Sequence, residues 1–101
     1  MSKYSKELIR STEYCLKQYE RDYKLMDGSY YGSMKLKILY NILNCKRVLA
    51  DNKDKNKEAQ LFYQMQLKIF DMLEKEDNND KTYEKRCDSL VKQLELEKDF
   101  V

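Results

Sequence analysis

The 101-residue chain has no proline, no histidine and no tryptophan, and only two glycines and three cysteines. Without proline, and with glycine this scarce, little but polar turn residues can interrupt a helix. Without histidine, the usual base that activates a Ser or Cys nucleophile is missing. Cys15, Cys45 and Cys87 are too far apart in sequence to form the close ligand pairs of a structural zinc site, and an odd number makes no disulfide framework. No apolar run is long enough to span a bilayer. The N-terminal residues lack the apolar stretch of a signal peptide, and there is no N-x-[ST] sequon. These absences predict a cytoplasmic protein with reduced thiols, no cofactor, no metal, and no membrane association.

What is present is polar. Charged residues make up 38% of the chain, yet they nearly cancel, with a net charge of +2. Leu, Ile, Val and Phe total 23 residues, just above the level that suggests disorder. The length fits one domain, residues 1–101. A core this thin suits a slender molecule or one completed by a second copy, so a homodimer is among the expectations.

Apolar residues recur at helical spacing, and the expected fold is all-α, a small antiparallel four-helix bundle. Helix one runs from about Lys3 to Met26, with a stripe of Leu8, Thr12, Cys15/Leu16, Tyr19, Tyr23 and Met26. Gly28 is placed to stop it. Helix two starts with Ser33 as N-cap and carries Leu36, Leu39, Ile42/Leu43 and Val48/Leu49. It ends within 50–56, where Asp and Asn favour a turn. Helix three covers about Asn56 to Glu76, with Phe62, Met65, Ile69 and Met72 at heptad spacing. Helix four follows Asp80 as N-cap, with Tyr83, Cys87, Leu90/Val91 and Leu94. The weakest break is the one between helices two and three. Its loss would give three helices with a long central helix over 33–76, a rod that could bury its stripe only in a dimer.

Charge divides along the chain. Residues 33–57 hold seven basic against two acidic side chains, and residues 58–80 hold two basic against six acidic. This predicts that helices two and three are antiparallel neighbours. It also supplies an alternative function, a basic helix 33–57 that binds nucleic acid through Lys35, Lys37, Lys46 and Arg47.

No catalytic constellation emerges. The three cysteines read as core thiols on or near the apolar stripes. Cys45 is the one most open to perturbation, since Lys46 and Arg47 beside it favour the thiolate. Asp54-x-Asn56-x-Glu58 opens like a calcium loop, but Ala59 and Met65 stand where glycine and the bidentate glutamate belong. The strongest functional signal is tyrosine. Gly28 and Gly32 bracket Tyr30 and Tyr31, with Tyr23 nearby, and tyrosine buries much area while freezing few torsions. The sequence therefore predicts a non-enzymatic protein-binding module, a small inhibitor or regulator that contacts its partner through Tyr23, Tyr30 and Tyr31. In size and helix count, and in carrying no catalytic motif, the chain is similar in a general way to small helical phage-encoded inhibitors, bacteriocin immunity proteins and regulatory adaptors. That likeness covers no motif and transfers no residue.

Overall fold

A computed structural model describes residues 4–26, 32–74 and 88–92. Helix α1 spans Lys6–Leu25, α2 Gly32–Asn52 and α3 Asn56–Glu74; residues 88–92 are also helical, and there is no strand among the described residues. The fold is all-α, as the periodicity predicted.

Ser5 caps α1. Its backbone is extended, its hydroxyl oxygen accepts from the Leu8 N–H at 3.1 Å, and its carbonyl accepts from Ile9. This satisfies amides that the first turn leaves without intrahelical partners. The helix begins three residues later than the apolar pattern suggested, because the cap rather than the stripe sets its start. It ends at Leu25, where the Met26 N–H bonds to the carbonyls of Asp22 and Tyr23. Gly28 and the rest of 27–31 lie outside the described residues. Ser33 falls inside α2, which begins at Gly32, and so is not its N-cap.

Helix α2 is the centre of the molecule. Leu36, Leu39 and Leu43 are buried in one cluster with Met65 and Ile69 of α3, and Leu90 of the segment 88–92 joins them. Each such Leu contributes roughly 1.5–3 kcal/mol by leaving water. Phe62, Met72, Leu61 and Leu73 pack around the cluster, so the α3 stripe reads correctly from sequence. The Leu90/Val91 pair of the expected fourth helix also reaches the core. Asp80, Tyr83, Cys87 and Leu94 lie outside the described residues.

Helix α1 packs on α2 without any fully buried residue. Its half-buried stripe is Ile9, Thr12, Leu16, Tyr19, Tyr23 and Met26, an unbroken alternation of three- and four-residue steps. Leu8 and Cys15 are exposed instead, which corrects their assignment to the stripe. The stripe turns slightly around the helix, and Ile9 rather than Leu8 faces α2.

Both helix pairs are antiparallel. The Tyr4 hydroxyl, just before α1, donates to Asp51 Oδ2 at the far end of α2 at 2.8 Å, and Tyr23 at the end of α1 meets Lys35 at the start of α2. Across α2 and α3, Gln66 meets Tyr40 and Asn44, while Arg47 meets Tyr63.

The turn between α2 and α3 is real, and it excludes the long central helix over 33–76. Asp54 has φ of 57°, the left-handed conformation that ends a helix. The Lys55 N–H bonds to the Ala50 carbonyl at 2.9 Å and the Asp54 N–H to the Asp51 carbonyl at 3.1 Å. Those two bonds define a Schellman cap. Lys55 serves both helices, since its own carbonyl then accepts from the Ala59 N–H and opens α3. Glycine usually fills the left-handed position, but Asp tolerates it better than branched residues do. Asp54→Val should therefore be about 1–2 kcal/mol less stable than Asp54→Gly by urea denaturation; equal stabilities would mean the turn is not held in this conformation.

Candidate interaction face

The described residues among those singled out by sequence do not gather into one site. Tyr23 is half-buried and packs against the core cluster, with the Lys35 ammonium 4.9 Å from its ring centroid. Lys35 is itself only 8% exposed. Tyr30 and Tyr31 lie outside the described residues. Of the remaining basic residues, Lys37 is exposed and Lys46 and Arg47 are half-buried. Lys37 and Lys46 project from opposite sides of α2, being nine residues and thus about half a turn out of phase. The four cations accordingly form no continuous track for a phosphate backbone.

Arg47 has a structural task. Its Nη2 donates to Asn44 Oδ1 at 3.0 Å, and its guanidinium sits 5.3 Å from the Tyr63 ring centroid, a cation–π contact. A guanidinium can only donate, so Asn44 must present its oxygen. Gln66 Nε2 donates to that same oxygen at 3.4 Å and to the Tyr40 carbonyl at 3.5 Å. Both partners are acceptors, so the Gln66 amide has one allowed orientation. Its Oε1 is thereby turned into the interior, where it finds no donor, although Gln66 is only 2% exposed.

This network stands beside a feature the sequence reading missed. Tyr63, Leu67 and Phe70 are 46%, 50% and 52% exposed. At i, i+4 and i+7 they fall within about 60° of one another on the helix surface, nearly opposite Met65 and Ile69. Helix α3 thus has two apolar faces, one in the core and one in solvent. The signal was present in sequence. Leu61, Phe62, Tyr63, Met65, Leu67, Ile69, Phe70, Met72 and Leu73 cover more of the helix surface with apolar groups than one seam can bury. Tyr63 also borders an open groove of about 380 Å³, lined with Arg47, Val48, Asp51, Ala59, Gln60 and Tyr4.

The thiols correct another expectation. Cys45 is buried, and its pKa lies above the ordinary value of 9.0, chiefly because burial disfavours the thiolate and secondarily because of Cys15. Lys46 and Arg47 follow it in sequence but leave the α-helix surface at successive steps of about 100°, so adjacency in the chain brings no thiolate-stabilising contact. Cys15 is exposed and is not a core thiol. Among the described residues no three of Cys, Asp and Glu converge as a metal site would require, and no helix is long and apolar enough to cross a membrane. Comparison with family models, with curated proteins and with solved structures finds no match to this chain.

Two measurements check this geometry. Gln66→Met keeps length and volume while removing the orphaned acceptor, and should change stability by less than about 1 kcal/mol. Gln66→Ala leaves a cavity and should cost about 2–3 kcal/mol; equal losses would show that the amide's hydrogen bonds, not its volume, are what α3 requires. For the thiols, peptide mapping after brief alkylation at pH 8 should find Cys15 modified well before Cys45. The raised Cys45 pKa also stabilises the fold most fully below the ordinary value of 9.0, and that contribution is lost as pH rises through the folded-state value.

Proposed function

We propose that this chain is a non-enzymatic protein-binding module, a small cytoplasmic inhibitor or regulator that acts by occupying a partner protein's surface. The observation that carries the reading is the Tyr63–Leu67–Phe70 stripe. Anchors at i, i+4 and i+7 are the pattern with which a helix enters an apolar groove on another protein. Single exposed apolar residues are ordinary, whereas an aligned row of three, two of them aromatic, is a contiguous patch. Burying the exposed half of each side chain would return about 1 kcal/mol apiece. Arg47 over the Tyr63 ring restrains one anchor before any partner arrives, which lowers the entropy lost on binding.

This moves the proposed contact surface from the glycine-bracketed corner to α3. Tyr23 is committed to packing at the end of α1. Lys35, the first residue of the nucleic-acid alternative, is enclosed with Tyr23, and Lys37 and Lys46 point apart, so the protein reading is the better supported of the two.

The test compares three immobilised chains against a lysate of the native host, with captured proteins identified by mass spectrometry. Leu67→Asp, which should keep its helix content by circular dichroism because Leu67 is half exposed, should lose a protein that the wild-type chain retains. A double variant, Tyr30→Ala with Tyr31→Ala, should retain it. Capture that survives Leu67→Asp but fails in the tyrosine variant would return the site to the corner. Retention of nucleic acid in place of protein, abolished by moderate salt, would favour the basic helix.

A further inference from the structure

Helix α1 sorts its charges by direction. It carries five basic and four acidic side chains, so its net charge is small, but the cations share one arc and the anions stand outside it. Lys6, Arg10, Lys17, Arg21 and Lys24 fall within about 60° of one another, and Tyr14 lies about 20° beyond. No other residue of α1 projects within that arc. All six side chains are exposed, Tyr14 by 66%. The arc lies roughly 140° around the helix from the stripe that packs on α2, and it forms an outward ridge about 27 Å long. The cations of α2 leave their helix in different directions, whereas these share one.

We propose that this ridge binds single-stranded nucleic acid, the backbone following the five cations and a base stacking on Tyr14. Cations set along one line of a helix suit a polyanion, and an aromatic ring exposed among them suits unstacked bases. The flanks argue against a duplex. A helix seated in a major groove meets a phosphate backbone on each side, and here exposed Glu13 and Glu20 border one side of the arc and exposed Glu7 the other. Glu13 and Glu20 also stand four residues before Lys17 and Lys24. Such exposed pairs are weak and screened by salt, so both lysines stay able to meet a phosphate. An anionic membrane attracts basic amphipathic helices too, but it takes up their apolar face, and in α1 that face is packed on α2.

The inference goes beyond the reading of α3 as a protein-binding surface and does not depend on it. The two surfaces lie on different helices, so one chain can hold a nucleic acid and a protein together.

Fluorescence anisotropy with labelled oligothymidine and oligouridine of roughly twelve nucleotides tests it, and the tighter of the two names DNA or RNA as the source. At low salt the wild-type chain should bind in the micromolar range. Log affinity should fall against log salt with a slope of about −2 to −3.5, as for three to five phosphates neutralised along a single strand. Arg10→Gln combined with Arg21→Gln should weaken binding about tenfold or more at low salt and flatten the slope by about 1.4. Tyr14→Ala should weaken it about fivefold or more with the slope unchanged, while Tyr14→Phe binds like the wild type. All three positions are exposed, so helix content by circular dichroism should not change. Leu67→Asp should bind like the wild type. No binding to either oligonucleotide overturns the proposal and leaves the α3 reading standing. A loss that follows Lys37→Gln with Lys46→Gln, and not the α1 variants, also overturns it. A duplex of the same length bound as tightly as the single strand, or indifference to Tyr14→Ala, overturns the single-strand assignment. Equal binding to polyglutamate would give the ridge to an acidic protein, and sedimentation with phosphatidylserine vesicles in place of either oligonucleotide would give it to a membrane.

Discussion

The structure depends on α2 being covered from two directions at once. Helix α1 lies along one side and α3 along another, and Leu36, Leu39 and Leu43 are almost completely removed from water between α3 and the helical segment 88–92. A helix with one apolar stripe can satisfy only one neighbour. Helix α2 satisfies more because Ile42, Cys45 and Ala50 extend its buried surface around the cylinder. Lys35 is drawn in as well, its stem enclosed and its ammonium resting on Tyr23, a way to bury the length of a lysine while its charge meets an aromatic face.

The periphery follows from that arrangement. Helix α1 brings no fully buried residue, so it adds area without completing a core of its own. Helix α3 inserts Met65 and Ile69 into the centre and is held in register by the Gln66–Asn44–Arg47 chain. Apolar packing alone specifies such a register loosely, since neighbouring apolar residues are similar in size. A polar chain with one allowed amide orientation has fewer ways to be satisfied, and the unfilled Gln66 Oε1 is what that specificity costs here. The same chain ends on Tyr63, so the element that fixes α3 against α2 also orients the first residue of the outward stripe. Core and candidate binding face are two sides of one helix, joined by one guanidinium.

Much of this was legible in the residues. The spacing of Phe62, Met65, Ile69 and Met72 locates the inner face of α3, and the cluster Asp51–Asn56 locates the turn before it. The exposed face was less visible because Tyr63, Leu67 and Phe70 are interleaved with the core stripe. A helix with two apolar faces does not announce which of them meets water; that depends on how many neighbours it has. For the basic residues of α2 and for Cys45, proximity in sequence is not proximity in space. Lys35, Lys37, Lys46 and Arg47 are a cluster along the chain but leave α2 in different directions. Cys45 has cations beside it in sequence and burial around it in space, and burial determines its pKa.

The sequence by itself determined that the described segments are helical, where α2 turns into α3, and that α2 and α3 are neighbours of opposite charge. These follow from local rules: the 3.6-residue period, the scarcity of glycine and proline, and the preference of Asp and Asn for turns. Tertiary structure decided which apolar residues of α1, α2 and α3 are core and which are surface, why Lys35 is enclosed, and that Tyr63 is exposed beside Leu67 and Phe70. Those outcomes depend on how many helices cover each face, and the covering residues come from distant parts of the chain, so no local pattern can encode them alone.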